Sequence, residues 1–187
     1  MPDFNVKVEN VVAVATLDVS IPLDKMLSKT ERSEYEPEQF PGLVYRPEGL
    51  NVAALIFSSG KIVCTGARSP EAAKDAMMKV VRKIQEIGIT VPKVFDIQIE
   101  NMVASSQLSS TLSLEELAMS LDNAEYEPEQ FPGLVYRITD PRISFLLFST
   151  GRIIITGAQS EKDIHRGLLK LRDNLKKAGV RAEPAKV

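Results

Sequence analysis

Apolar and polar residues alternate along the first stretch of the chain. Residues 4–17, FNVKVENVVAVATL, alternate and then become continuously apolar and rich in valine, which predicts a strand. Apolar residues at helical spacing between Leu23 and Leu27 predict a short helix after Pro22, because proline fits a first helical turn. Residues 52–66, VAALIFSSGKIVCTG, predict two strands joined by a turn that contains Gly60.

A longer amphipathic helix is predicted after this hairpin. Ser69 is a suitable N-cap, Pro70 suits the first helical position, and Gly88 marks the end. The apolar positions between them recur at helical spacing, at Ala73, Ala76, Met77, Val80, Val81 and Ile84. With two further short strands on either side of the loop at Phe40, the pattern predicts the order β-α-β-β-β-β-α.

The same pattern occurs twice. The thirteen residues from Glu34 to Arg46, EYEPEQFPGLVYR, recur unchanged from Glu125 to Arg137, and the same offset of 91 residues aligns the flanking sequence without a gap. Two units are too few for a solenoid, so the repeat indicates a duplicated half-domain. We predict an α+β fold of two repeats, residues 1–92 and residues 93–187, with about ten short strands and four helices.

The predicted strands are apolar on both faces. Side chains alternate across a strand, so Asn10 and Val12 share one face with Phe57 and Thr65, and a second apolar set faces the other way. Two helices in each repeat can cover only one of these faces. A large uncovered apolar face normally marks an interface, either between copies of the sheet or with another molecule.

Charge and composition restrict what that interface contacts. The net charge is −2, whereas nucleic-acid-binding proteins usually carry a basic excess, so any nucleic-acid site must be a local surface. The sequence MPDFNVKVEN lacks the basic and apolar regions of a signal peptide, and no apolar run is long enough for a membrane helix, which predicts an intracellular protein. The single cysteine, Cys64, is expected to be a buried apolar residue.

Enzyme chemistry is not expected. The only histidine, His165, aligns with Lys74 on a charged helix and is expected to be exposed. The chain has no Cys/His cluster, no phosphate-binding glycine loop and no nucleophile motif, so we predict no catalytic residue, no metal and no cofactor.

Several motifs together resemble the TATA-binding protein family of general transcription factors, in its archaeal form. They are the duplicated FPGLVYR, the segments NVVA and NMVA, the turns LIFSSGK and LLFSTGR, and the strand ends CTGA and ITGA. The resemblance covers nearly the whole chain. It implies a saddle in which a curved, ten-stranded antiparallel sheet carries four helices on its convex face, and it implies a cytoplasmic, nucleoid-associated protein.

The resemblance also implies that the uncovered face binds the minor groove of an A·T-rich promoter element, the TATA box, and bends it. In this family two pairs of phenylalanines insert between base steps, and they correspond here to Phe40, Phe57, Phe131 and Phe148. Read without the family, Phe40 and Phe131 are more typical of loop anchors that turn into their own core.

Residues that contact bases follow from the same resemblance. Asn10 and Asn101, with Thr65 and Thr156 beside them, correspond to groups that face base-edge acceptors. The expected apolar floor consists of Val12, Val103, Leu55, Leu146, Val63 and Ile154. A guanine amino group finds no acceptor on such a floor, so the floor selects A·T pairs without reading their order.

The remaining implied contacts are charged. The expected phosphate contacts are Arg46, Arg137, Lys61 and Arg152, which otherwise read as a solvated strand edge. In the family the second loop contacts transcription factor B, which maps onto Glu127 and Glu129, and RNA polymerase is recruited indirectly. Two alternatives stay open from the residues alone: a duplicated ligand-binding sheet, and a sheet that self-associates through its uncovered face.

Overall fold

The fold is described from a computed structural model that covers residues 4–186 of the chain. The backbone forms two compact units. The first-repeat unit is Asn10–Glu100, and the second-repeat unit combines the residues up to Glu9 with those from Asn101 onward. The predicted repeat boundaries at residues 92 and 93 describe the duplication and stay a prediction.

The first repeat contains five strands and two helices in the predicted order. The elements are β1 (Lys7–Thr16), α1 (Leu23–Lys29), β2 (Ser33–Glu34), β3 (Leu43–Tyr45), β4 (Ala53–Ile56), β5 (Lys61–Ala67) and α2 (Pro70–Glu86). Neighbouring strands are antiparallel in the order β2-β3-β4-β5-β1. The strand β1 thus pairs with the last strand of its repeat, which brings residues distant in sequence onto one sheet.

The second repeat has the same element order. The elements are β6 (Ile97–Gln107), α3 (Leu114–Ser120), β7 (Ala124–Glu125), β8 (Leu134–Thr139), β9 (Arg142–Leu147), β10 (Arg152–Ala158) and α4 (Glu161–Lys177). The strand order β6-β10-β9-β8-β7 mirrors the first repeat. The predicted α+β fold of two β-α-β-β-β-β-α repeats is therefore confirmed.

The long helices start and stop where the sequence predicts. The hydroxyl of Ser69 accepts a hydrogen bond from the amide of Ala72, at 3.0 Å, and Pro70 begins α2. Just after the helix, Gly88 adopts a φ of +96°, a left-handed conformation that favours glycine. The six apolar residues predicted for the inner face of α2 are its six buried residues, so helical periodicity located this half of the core.

The core lies between the helices and one face of each sheet. In the first repeat, Ala54, Ile56, Ile62 and Cys64 are at most 1% exposed. The Cys64 thiol lies 3.8 Å from the sulfur of Met77 on α2, and burial raises the pKa of this thiol to about 12. Cys64 is thus a protonated core residue, as predicted.

One local prediction was wrong. His165 is not exposed: its ring contacts Phe4 edge to face at 6.2 Å, and its Nε2 is buried without a hydrogen-bond partner among the described residues. Phe4, which precedes β1, covers this part of α4. The periodicity of the helix alone does not reveal this contact.

No helix within residues 4–186 is both long and apolar enough to cross a membrane.

Candidate nucleic-acid interface

Each sheet has a second face that is apolar and only partly covered. In the first-repeat unit, cross-strand register aligns Val44, Leu55, Val63 and Val14 in one row. In the second-repeat unit the corresponding row is Val135, Leu146, Ile154 and Ser105. We call these the apolar rows. Except for the buried Ser105, their members are half-buried, whereas the residues that alternate with them are buried.

The floor residues expected from sequence lie on this face of their respective units. Val12, Leu55 and Val63 are half-buried in the first, and Val103, Leu146 and Ile154 are half-buried in the second. Sequence reasoning missed Val44, Val135 and Val14, although the alternation in LVYR and in β1 was enough to place them. The candidate floor is therefore one strand wider in each unit than predicted.

Asparagine and threonine lie together beside each row, on β1 and β5 in the first unit and on β6 and β10 in the second. The side-chain oxygen of Asn10 accepts a hydrogen bond from the amide of Gly66, at 2.7 Å, and its Nδ2 donates to the Thr65 hydroxyl, at 3.0 Å. The second unit repeats this arrangement: the Gly157 amide lies 2.7 Å from Oδ1 of Asn101, and Nδ2 lies 3.4 Å from the hydroxyl of Thr156.

These glycine contacts fix the direction of both amides. The glycines lie where the register of β5 against β1 and of β10 against β6 is interrupted by extra residues, so their amides are turned away from the ladder. A backbone amide can only donate, so Oδ1 must point to it and Nδ2 must point to the threonine. Each Nδ2 retains a second hydrogen that can be donated to an acceptor placed on the apolar face.

The four phenylalanines form two similar pairs. The rings of Phe40 and Phe57 are 5.8 Å apart at 67°, and those of Phe131 and Phe148 are 6.0 Å apart at 68°, both edge to face. Phe40 and Phe131 are 39% and 40% exposed, so the loops do not turn them into the core. Each pair presents an exposed aromatic edge supported by a second ring.

A glycine lies beneath each aromatic pair. A Cβ on Gly133 would lie 2.8 Å from Cε1 of Phe131 and 3.1 Å from Cε1 of Phe148, and Gly42 has the same distances to its own pair. Distances this short are not compatible with ordinary packing. Sequence reasoning treated these glycines only as turn residues, and the repeated FPG was the available signal that they also make room for the rings.

The four expected cations are exposed, but they are not equivalent. Arg137 forms an ion pair with Glu125, with an N to O distance of 3.2 Å. Within residues 4–186, Arg46, Lys61 and Arg152 make no ion pair closer than 4.0 Å. Three of the four charges are therefore available to an anionic partner without breaking an internal contact.

The acidic loops support the phenylalanines through their backbone. The carbonyl oxygen of Glu36 accepts from the amide of Phe40 at 2.9 Å, and that of Glu127 accepts from the amide of Phe131 at the same distance. The side chains of Glu127 and Glu129 are exposed. In residues 4–186, no group of three or more His, Cys, Asp or Glu residues is placed to hold a metal ion.

Comparison with known proteins gives a consistent result. The model of the family described as transcription factor TFIID, or TATA-binding protein, matches the chain twice, over residues 5–87 and 96–178. The TATA-box-binding protein of Methanosphaera stadtmanae is 47% identical over 175 residues, covering 94% of this chain and 96% of the relative. That of Archaeoglobus fulgidus is 42% identical over 182 residues, covering 96% and 100%.

A solved structure agrees with these matches. The structure of Methanococcus jannaschii TBP superposes with a TM-score of 0.84 at 45% identity, covering 92% of this chain and 98% of that one. The family consists of transcription factors rather than enzymes. Both repeats, nearly the whole length and the fold agree, so the chain belongs to the TATA-binding protein family.

Proposed function

We propose that the protein is a general transcription factor that binds the minor groove of the A·T-rich TATA box of promoters. In this proposal each apolar row lies on the groove floor, and the two phenylalanine pairs enter base steps and bend the duplex. Transcription factor B and RNA polymerase are then recruited to the bent DNA. The matches to archaeal TATA-box-binding proteins support the choice of DNA element.

One observation carries the proposal: an asparagine amide of fixed direction lies beside each apolar row. The minor groove offers acceptors at every base pair, N3 of adenine and O2 of thymine for A·T, while G·C adds an amino donor. The free Nδ2 hydrogens of Asn10 and Asn101 match those acceptors. The rows beside them contain almost no acceptor for a guanine amino group, so A·T pairs are favoured.

The aromatic pairs supply the means of bending. Opening a base step costs a few kcal/mol, which is offset when the opened step stacks on an apolar side chain and the bent duplex contacts more protein. Phe40 and Phe131 are exposed enough to enter a step, and the half-buried rings of Phe57 and Phe148 contact them edge to face, so each pair enters as a unit. Because the row is apolar, the exposed cations position the phosphates while burial and deformation supply much of the affinity.

The acidic side chains suit a protein partner better than DNA. Glu127 and Glu129 are exposed on the loop that carries Phe131, and acids beside DNA weaken phosphate binding. We assign them to the contact with transcription factor B. Glu127→Lys with Glu129→Lys should weaken capture of transcription factor B on a promoter, while the same changes at Glu36 and Glu38 should not.

A direct binding experiment tests the DNA proposal. We expect a gel shift with an A·T-rich duplex and none with a G·C scramble of equal length, measured at physiological salt. Equal binding to both duplexes would leave only electrostatic attraction, and binding to neither would favour a sheet that self-associates. Sedimentation of the free protein across a concentration series separates that last outcome from an inactive preparation.

A further inference from the structure

We propose that Gln107 is a positioning residue for Phe148. It holds the second-repeat hairpin, formed by β9 and β10, in place before DNA arrives. The first-repeat hairpin, formed by β4 and β5, is held less firmly. The inference rests on the proposed function, in which the phenylalanines enter the duplex. It adds a difference between two hairpins whose turns, FSSGK and FSTGR, are closely similar in sequence.

Gln107 bridges the end of β6 to the turn between β9 and β10. Its Nε2 donates to the carbonyl oxygen of Thr150, at 2.8 Å, and to that of Leu108, at 3.0 Å. Thr150 lies in the turn that directly follows Phe148. Within that turn the amide of Gly151 donates to the carbonyl oxygen of Phe148 at 2.9 Å, so the glutamine holds the same short loop that fixes the phenylalanine backbone.

The C-terminal segment holds the other side of this contact. The amide of Ala185 donates to the carbonyl oxygen of Gln107 at 2.8 Å, and the amide of Ser109 donates to that of Glu183 at 2.9 Å. The Ser110 hydroxyl donates to the carbonyl oxygen of Arg181, also at 2.8 Å. Residues 107–110 are therefore fixed from behind by residues 181–185.

The turn packs directly on this supported segment. A Cβ at Gly151 would overlap the carbonyl oxygen of Ser110, so backbone meets backbone without an intervening side chain. Backbone contact this close transmits displacement in either direction, because packed interiors are nearly incompressible. The C-terminal segment, residues 107–110 and the Phe148 turn thus form one continuous support.

The first repeat lacks two parts of this support. The offset of 91 residues places Thr16 at the position of Gln107, and within residues 4–186 the exposed side chain of Thr16 makes no hydrogen bond. It also places Pro92 at the position of Glu183. There the linker leaves a cavity of about 390 Å³, and Val94 is 86% exposed. The cavity is lined by Thr16, Leu17, Asp18, Pro92, Val94, Phe95 and Asp96, among others.

The remaining backbone hydrogen bonds of the two hairpins are equivalent. In the first repeat, the amide of Leu17 donates to the carbonyl oxygen of Gly60 at 3.0 Å, and the amide of Ile21 donates to that of Ser58 at 2.9 Å. In the second repeat, the amide of Leu108 donates to the carbonyl oxygen of Gly151, and the amide of Leu112 donates to that of Ser149, both at 2.9 Å. Apart from a long contact of 3.5 Å between the Arg152 amide and the Thr150 hydroxyl, the difference is therefore confined to the glutamine and the C-terminal segment. This makes the first repeat a matched internal control.

Hydrogen exchange in the free protein measures the support without DNA. Gln107→Met keeps the side-chain length and removes the donor. We expect the protection of the Phe148 and Gly151 amides to fall about fivefold, as for loss of one net hydrogen bond, while Phe57 and Gly60 are unchanged. Thr16→Met, the matched control, should alter neither turn. Unchanged protection at Phe148 and Gly151 would overturn the inference.

A graft and a DNA measurement complete the test. Thr16→Gln supplies the missing donor opposite Ser59. It should raise the protection of the Phe57 and Gly60 amides against hydrogen exchange severalfold. Partial unfolding would lower this protection, so it cannot produce the same result. The DNA measurement uses an A·T-rich duplex labelled at both ends for energy transfer. Gln107→Met should shorten the lifetime of the bent complex about threefold to fivefold.

The outcomes are distinguishable. If the wild-type protein does not bend the duplex, the proposed function fails, while exchange still decides whether Gln107 holds the turn. If the wild type bends DNA and Gln107→Met leaves its lifetime unchanged, the positioning role is wrong and the proposed function stands.

Discussion

The two repeats share a stretch of identical sequence, and comparing its surroundings separates local from long-range effects. The aromatic pairs differ by only 0.2 Å in ring distance and 1° in angle. The arginine that ends the stretch behaves differently: Arg46 follows the last residue of β3, whereas Arg137 lies inside β8 and pairs with Glu125. Identical residues thus reproduce the packing of the rings, but not the ion pair of the arginine.

The length of the arginine strand is set by the residue just outside the repeated stretch. Pro47 follows Arg46 and cannot donate to a strand partner, so β3 ends at Tyr45. In the second repeat Ile138 follows Arg137, and β8 continues to Thr139 against β9. The proline therefore decides how far the strand continues, whereas the register of the arginine strand against its acidic neighbour is the same in both repeats.

The largest expected effect comes from removing one aromatic ring. Phe148→Ala should weaken binding to an A·T-rich duplex by about 30-fold, roughly 2 kcal/mol, because a central aromatic contact is lost. Energy transfer between the duplex ends should report a smaller bend. The matched variant is Phe57→Ala; an unchanged bend angle in both variants would contradict insertion.

The next largest effect is expected at the fixed amides. Asn101→Ala removes the donor and leaves the Gly157 amide without its partner, so affinity for A·T-rich DNA should fall about tenfold. Asn10→Ala should have a similar effect if the two units are chemically equivalent. Titration of both variants by fluorescence anisotropy checks this, and an unaltered affinity in both would show that the amides do not contact bases.

A smaller effect is expected at the glycines under the rings. Gly133→Ala should displace Phe131 and reduce affinity about fivefold, while thermal unfolding changes little because the exposed ring can move. Gly42→Ala tests the same contact in the first repeat. If instead the melting temperature drops strongly, the glycines serve the fold rather than the interface.

The smallest expected effect concerns the one internal ion pair at the candidate phosphate contacts. Glu125→Gln should free Arg137 and strengthen DNA binding by about twofold, because an exposed pair contributes at most about 1 kcal/mol. The equivalent change, Glu34→Gln, should have less effect because Arg46 is not paired. Binding measured across a salt series distinguishes them, and equal responses would show that the pair does not persist in solution.

The sequence predicts local features well. Periodicity located the buried face of α2, and the turn residues located the hairpins that carry Phe57 and Phe148. It does not predict contacts between segments far apart in the chain. Phe4 covers His165, and residues 181–185 support Gln107, because both depend on where the ends of the chain lie. The face of each strand was predictable, whereas the direction of the asparagine amides required the irregular register beside Gly66 and Gly157.

That fixed direction has a consequence for how promoters diverge. Under the proposed function, a transversion that exchanges A·T for T·A at a contacted pair leaves an acceptor in nearly the same place, and the amide hydrogens of Asn10 and Asn101 still find it. A transition to G·C adds an amino group against an apolar row. Point mutations in the element therefore fall into a class that hardly changes binding and a class that weakens it. Sequence differences among promoters should consist mainly of the first class.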